Sequence, residues 1–170
     1  IINKENNRLK KQVDRVLQLA SIENDRINLN KSNIRIHAIL DEVVNHLKAA
    51  NNQVSISINL KAENDDVFAD PLHMTNVLYN LLENAIKYSS DPVIRISSIN
   101  EKGRIILKIE DNGVGISSKD LSAVFNKFYR VNTGNRHDVK GFGIGLSYVK
   151  AVVEAHNGVV KAESIPGKGS

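Results

Sequence analysis

The chain contains no cysteine, which excludes disulfides and thiolate metal sites and leaves its redox compartment open. No apolar run approaches the ~20 residues that a membrane span requires, and IINKENNRLKKQ at the start resembles neither a signal peptide nor a transit peptide, so a soluble chain is expected. Because Ile1 is not a natural start, the sequence reads as a fragment of a longer protein. There is no basic cluster with interleaved aromatics, and the net charge of +4 is spread along the chain. That is the pattern of a solvated surface, and no nucleic-acid partner is expected. Internal repeats and low-complexity tracts are also absent. What remains is 170 residues, 41% of them apolar, enough for one compact domain with a short appendage.

Hydrophobic spacing divides the chain. Leu9, Val13, Val16 and Ala20 form one helical stripe with no partner stripe of its own, which predicts a coiled-coil or bundle contact. Residues 24–32 are polar and read as a connector. Ile36, Ile39, Leu40, Val43, Val44 and Leu47 predict a helix closed by Asn51 and Asn52, and the alternation of Val54, Ile56, Ile58 and Leu60 predicts a strand. A short strand at Val67 and Phe68 is followed by a helix from Pro71 to about Tyr88, with proline where it favours a helix start. Residues 93–99 and 104–109 predict a hairpin, 119–125 a short helix, and 131–140 a polar loop. Leu146, Val149 and Val153 predict a helix closed by Asn157 and Gly158, with a further strand over 159–164. This order argues for an α+β fold, a two-layer sandwich with helices on one face of a mixed sheet, rather than a doubly wound parallel fold.

Three segments carry candidate chemistry. On the helix from Pro71, Met74, Leu78, Leu81, Leu82 and Ala85 share one side, while Asn80, Asn84 and Lys87 form a polar row on another. Carboxamide oxygens suit a hard cation and an ammonium suits a phosphate, although a solvated helix face would look the same. DNGVGI at residues 111–116 sets Asp111 at a strand end before two glycines, a tight turn with an acceptor. GFGIGL at residues 141–146 leads glycines into a helix start, where exposed amides suit an anion. A Rossmann reading fails because the run follows a long polar loop rather than a strand, and a P-loop fails for want of GKS or GKT.

Taken in order, NLLENAIKYS, DNGVGI, FNKFYR and GFGIGL resemble the N, G1, F and G2 boxes of the histidine kinase catalytic domain, a member of the Bergerat-fold ATPases. LQLASIENDRINLN resembles the end of a second dimerisation helix and its linker, and SIPGKGS a last glycine box, so the likeness covers nearly the whole chain. On this basis residues 1–28 are expected to end a dimerisation and phosphotransfer helix with its linker. Residues 29–170 are expected to form an ATP-binding catalytic domain that lacks its last strand. There is no HExRTP-like motif, so the acceptor histidine is expected elsewhere; His37, His46, His73, His137 and His156 read as structural or surface residues.

The resemblance implies roles residue by residue. Asn84 would coordinate Mg²⁺ with Asn80 assisting, Lys87 would contact phosphate, and Tyr88 would lie near the sugar of ATP. Asp111 would accept the adenine amino group while Gly113, Gly115 and Ile116 approach the base. Phe125, Phe128 and Arg130 belong to the F box, residues 126–140 would cover the phosphates, and Lys140, Gly141, Gly143, Ile144, Gly145 and Leu146 would hinge that cover and supply amides. Asn80, Lys87 and Arg130 are the residues expected to support catalysis. The implied reaction moves the γ-phosphoryl group of Mg-ATP to a histidine of the dimerisation domain, for relay to a response-regulator receiver domain. The full-length protein would be a homodimer with a cytoplasmic kinase core, anchored in the inner membrane. Two alternatives remain, an ATP-hydrolysing clamp and a nucleotide-sensing module without transfer. In hydrolytic relatives a glutamate activates water one turn before the metal-binding asparagine; here that position is Asn80, and a carboxamide is no general base.

Overall fold

The computed structural model describes residues 27–131 and 142–170. The expected helical stripe at Leu9, Val13, Val16 and Ala20 lies outside the described residues, as do His137, Lys140 and Gly141. The elements run β1 (Ser32–Arg35), α1 (Ile36–Ala50), β2 (Ser55–Leu60), β3 (Asp66–Ala69), α2 (Pro71–Lys87), β4 (Val93–Glu101), β5 (Arg104–Asp111), α3 (Ser118–Leu121) and α4 (Gly145–Ala155). Among the described residues, no helix is long and apolar enough to cross a membrane.

The main sheet has the order β2-β4-β5, with β2 parallel to β4 and β4 antiparallel to β5. A separate antiparallel pair, β1 with β3, closes the start of α1 onto the start of α2. β4 and β5 turn over Lys102 and Gly103, both with positive φ (50° and 73°), the two-residue geometry whose twist matches paired strands. One face of the sheet is covered by α1 and α2. Ile36, Leu40, Val43, Val44 and Leu47 of α1, and Leu78, Leu82 and Ala85 of α2, pack on Ile56, Ile94 and Ile96. The alternation in β4 and the i, i+4, i+7 spacing in α1 present these side chains to a common side. A second cluster forms where Val77 of α2 meets Ile144, Tyr148, Val149 and Val152, with Ile27 and Val160 at its margin.

Neither long helix starts on apolar contacts alone. Arg35 precedes α1 without a side-chain cap, and Asp65, arriving from the β2–β3 connection, takes that role. Its carbonyl accepts the Ile36 amide at 3.0 Å and its carboxylate the His37 amide at 3.2 Å. An anion at a helix N-terminus is favoured by the unpaired amides there. Arg35 Nε donates to the same carboxylate at 3.2 Å. For α2 the cap is local: Asp70 accepts the His73 amide at 3.0 Å, with Pro71 at the first turn. The other oxygen of Asp70 accepts the Asn30 amide at 2.7 Å, and its own amide donates to His156 Nε2 at 3.0 Å. His156 Nδ1 bonds the Val152 carbonyl at 2.8 Å, which makes Nδ1 the protonated nitrogen and leaves Nε2 as acceptor. Lys31 Nζ donates to the Ala155 carbonyl at 3.0 Å, a cation at a helix C-terminus. Residues 30 and 31 are thereby tied to both α2 and α4.

Three local expectations differ from the structure. Residues 24–32 were expected to be connector throughout, yet Ser32 opens β1, whose partner β3 is far along the chain. The short helix expected over 119–125 is confined to Ser118–Leu121 and continues as turns. The strand expected over 159–164 has no ladder among the described residues; the bridge nearby joins Ile165 to Gly169. Its alternation is nonetheless real as burial, with Val160, Ala162 and Ser164 half-buried and Val159, Lys161 and Glu163 exposed. Period two reports which side of a segment is covered, not whether its backbone has a hydrogen-bonding neighbour.

Burial raises the carboxyl groups of Asp65 and Asp70, but the amides, Arg35 and neighbouring imidazoles outweigh it, and both end below the ordinary 3.8. Their stabilisation is therefore complete above 3.8 and lost as pH falls from there through the lowered folded values. His156 goes down from 6.5, chiefly through burial, with Lys31 and His73 adding to it against the Val152 bond and Asp70. The unfolded chain takes up that proton first, so stability declines as pH drops below 6.5. Thermal melts are expected to show a decline between pH 6.5 and 5 that His156→Gln flattens, and a further loss below pH 4; a wild-type profile flat from pH 8 to 5 would contradict the His156 geometry. Leu82 has no exposed surface in the shared core, so Leu82→Ala is expected to cost about 2–5 kcal/mol in chemical denaturation.

Candidate functional site

Helix α2 buries its apolar arc on two sides, which leaves Asn76, Asn80, Asn84 and Lys87 along one half-buried strip. This strip meets the start of α4. Asn80 Nδ2 donates back to the Asn76 carbonyl at 2.8 Å, so its Oδ1 is the end turned outward. A Cβ on Gly145 would stand 2.8 Å from that oxygen and 3.9 Å from Asn84 Nδ2, so glycine lets the α4 backbone approach both carboxamides. The α4 start has no side-chain cap. Its first amides lack intrahelical partners and suit an anion or a polar ligand. At the end of α2, Lys87 Nζ lies 4.9 Å from the ring centroid of Tyr88.

Asp111 ends β5 beside the C-terminus of α2. Its Oδ1 accepts the Gly113 amide at 2.7 Å, and a Cβ on Gly113 would meet that oxygen at 2.7 Å and the Tyr88 carbonyl at 3.0 Å. Burial pushes the Asp111 carboxyl up, against the amides of Gly113 and Ser170, leaving a half-desolvated acceptor at the cleft wall. Gly115, at φ 69°, has no room for a side chain because the Ile165 carbonyl occupies that position. The whole turn is backed by residues 164–170. Val114 accepts the Gly167 amide at 2.8 Å, Ser164 Oγ accepts the Ile116 amide at 2.7 Å, and the Asp111 amide donates to the Ser170 carbonyl at 2.9 Å.

Asn80, Asn84, Lys87, Tyr88, Asp111, Gly115, Ile116, Phe125, Arg130, Gly143, Ile144, Gly145 and Leu146 all line one cleft. At about 2650 Å³ it exceeds an ordinary ligand pocket of about 300–1000 Å³, because it also runs over β5 and residues 159–163. Gly113 is buried behind the wall, and Phe128, 61% exposed, is not part of the lining. Sequence reading missed Asn112. Its Oδ1 accepts from Ser89 Oγ and the Val93 amide, and its Nδ2 donates to the Asp91 carbonyl, which holds the turn after α2 against the turn after β5. The signal was available as the asparagine of DNGVGI, but its partners lie about twenty residues upstream.

A second polar cluster has a misleading resemblance to a hydrolytic triad. His37 Nε2 lies 2.9 Å from Ser98 Oγ, and His37 Nδ1 lies 3.5 Å from Asp65 Oδ2. Ser98 is 2% exposed, accepts the Ala62 amide, and none of the three residues lines the cleft. A nucleophile without access to substrate is a structural tie, here between the α1 start and β4.

Residues 69–170 match the family described as histidine kinase-, DNA gyrase B-, and HSP90-like ATPase. The sensor protein RprX of Bacteroides fragilis is 43% identical over 96% of this chain and 33% of that protein. The sensor protein kinase WalK of Staphylococcus haemolyticus is 28% identical over the whole chain and 28% of that protein. The chain thus spans between 28% and 42% of the length of these and other curated relatives it matches. Among solved structures, the Acinetobacter baumannii histidine kinase AdeS matches with a TM-score of 0.72 and 28% identity, over 96% of this chain and 75% of that one. Full-length ShkA in complex with AMPPNP matches with a TM-score of 0.82 at 21% identity, over 98% of this chain and 35% of that one, a likeness of fold. With more than half its length matched to one family, and that family's fold reproduced around the cleft, the chain belongs to the histidine kinase-, DNA gyrase B- and HSP90-like ATPases.

Proposed function

We propose that this chain is the ATP-binding catalytic part of a sensor histidine kinase, which transfers the γ-phosphoryl group of Mg-ATP to a histidine on the dimerisation domain of the same kinase. The observation that carries this reading is the meeting of the Asn80, Asn84 and Lys87 strip with the glycine-rich start of α4, across a cleft whose other wall holds Asp111. Adenine would sit at Asp111, with its amino group donating to the carboxylate and the base close to Gly115 and Ile116. The half-desolvated carboxylate is a stronger acceptor there than it would be in water. Tyr88 would flank the sugar. The phosphates would extend toward Lys87, Arg130 and the amides after Ile144, where a cation and backbone donors offset their charge without reorganising.

The donor set also fits Mg²⁺. Among the described residues there is no cluster of three or more histidine, aspartate or glutamate side chains that could hold a metal, so protein ligation here would come from carboxamides. The outward Oδ1 of Asn80 and the carboxamide of Asn84 are hard oxygen donors, and magnesium commonly takes only one or two protein ligands beside phosphate and water. When bound, it would neutralise charge on the phosphate oxygens. Asn84 would be its principal ligand. Asn80 occupies the place where a water-activating glutamate would serve hydrolysis, and an amide cannot take that proton, which supports transfer to a protein nucleophile.

The likeness to the sensor proteins RprX and WalK extends the reading to two-component signalling. The phosphohistidine would pass its group to an aspartate of a response-regulator receiver domain, the full-length protein would be a homodimer, and its kinase core would lie in the cytoplasm below an inner-membrane anchor.

Calorimetric titration with a non-hydrolysable ATP analogue tests the site. Asp111→Asn presents a donor amide to the adenine amino group and is expected to weaken affinity about tenfold or more, as losing a hydrogen bond to a charged group does; unchanged affinity would displace the base from Asp111. Asn84→Ala is expected to bring the affinities measured with and without Mg²⁺ together. It should also abolish labelling of a separately supplied dimerisation domain by radioactive ATP, and wild-type labelling would remove Asn84 from the metal site.

A further inference from the structure

We infer that Asp120 and Tyr129 form a brace that positions the start of α4 against Asn80, and so governs affinity for the phosphate end of the nucleotide but not for its base. The inference rests on the nucleotide reading above and assigns Asp120 and the Tyr129 phenol a positioning role that the reading does not give them. The Asp120 carboxylate accepts two hydroxyl donors, Ser117 Oγ at 2.6 Å on one oxygen and Tyr129 Oη at 2.5 Å on the other. A hydroxyl bonded to a carboxylate is a charge-assisted hydrogen bond, stronger than one between neutral groups. Ser117 and Tyr129 together hold the Asp120 carboxyl below its usual range, and Asp120 in turn raises the Tyr129 phenol.

The brace adds a side-chain tie to a segment otherwise carried by turns. After α3 the chain proceeds through turns, with the Ala123 and Val124 amides on the Asp120 carbonyl and the Tyr129 amide on that of Asn126. Val124 is buried, but Phe128 is 61% exposed and adopts φ 64°, a left-handed conformation that a phenylalanine does not adopt without constraint. The constraint is on either side of it. The Phe128 amide donates to the Gly143 carbonyl at 2.9 Å, while the next residue, Tyr129, is tied through its phenol to Asp120.

Contact then passes directly to the polar strip of α2. A Cβ on Gly143 would stand 2.7 Å from both the Phe128 carbonyl carbon and the Tyr129 carbonyl oxygen, so the two backbones touch. Two residues on, the Cβ position of Gly145 lies 2.8 Å from Asn80 Oδ1, with Ile144 buried between them. A shift of Tyr129 therefore moves Gly143 and, through it, the amides that face Asn80 and Asn84. Asp111 is outside this path, because its turn is held by Tyr88 and residues 164–170. The Asp120–Tyr129 bond joins two half-buried side chains that belong to neither apolar cluster, so its loss reads out in ligand affinity more than in folding.

The experiment is calorimetric titration of wild type, Tyr129→Phe, Asp120→Ala and Asp120→Asn with two ligands, adenosine and a Mg²⁺-loaded non-hydrolysable ATP analogue, with thermal melts as a check on folding. Tyr129→Phe is expected to bind the triphosphate about three- to tenfold more weakly, the scale of one lost hydrogen bond, with adenosine affinity and melting temperature near wild type, and Asp120→Ala, which also frees Ser117 Oγ, to bind it at least as weakly. The double variant should be no weaker than Asp120→Ala, because that substitution already removes the Tyr129 bond along with the Ser117 one. Asp120→Asn keeps an oxygen acceptor for the phenol and should recover most of the affinity. Triphosphate affinity unchanged in Tyr129→Phe, or an equal loss for adenosine, would overturn the brace while leaving the nucleotide site standing. A wild-type chain that binds neither ligand would overturn the nucleotide reading itself, and the brace with it.

Discussion

Helix α2 buries Leu78, Leu82 and Ala85 against α1 and the sheet, while Val77 on its adjoining side packs against Tyr148, Val149 and Val152 of α4. A helix buried on two sides cannot rotate about its axis without exposing one apolar set or the other. The orientation of the remaining strip, Asn76, Asn80, Asn84 and Lys87, is then determined. The same packing brings the start of α4 alongside the strip, where Gly145 leaves the Asn80 carboxamide room to lie close to the backbone. Polar groups that would otherwise be a solvated helix face become one wall of a cleft because the apolar groups beside them are satisfied.

The opposite wall is built differently. Asp111 sits on a turn held by backbone hydrogen bonds and close glycine contacts, to Tyr88 on one side and to residues 164–170 on the other. Asn112 ties this turn to the one after α2. The C-terminus of α2 therefore positions both walls, its side chains one and its last carbonyl the other. The Asp111 turn and the polar strip of α2 are joined through one helix, so a change in α2 packing would disturb both walls of the cleft together. The α4 start, by contrast, meets the cleft through Gly143, whose neighbours Phe128 and Tyr129 depend on α3, so the two ends of the site also have separate supports.

Much of this was legible in the order of residues. The helices α1, α2 and α4, the strands β2 and β3, the β4–β5 hairpin and the sandwich class follow from spacing, because an amphipathic period reflects the single covered side that each element has. The glycine motifs marked the turns beside the cleft, and most of the described residues that the kinase-box resemblance named lie along it, Phe128 and Gly113 apart, while Lys140 and Gly141 fall outside the described residues. The expectation over 159–164 was half right: its alternation matches burial, while strand pairing depends on a neighbour that periodicity does not report. The opening strand β1 was not legible, since one apolar residue, Ile34, among four mostly exposed ones makes no period, and the strand is ordered by pairing with β3.

What the sequence by itself determined is local: where helices begin and end, which of their faces are apolar, and where only glycine suits the backbone. These follow from sterics and periodicity among near neighbours. Tertiary structure alone decided which distant groups meet: Asp65 at the start of α1, His156 on the amide of Asp70, Gly145 against Asn80, and Tyr129 on Asp120 as the support of Gly143. Each is a short-range polar or steric contact between residues whose types do not announce their partners. Such contacts form only once the double burial of α2 has brought their backbones within reach.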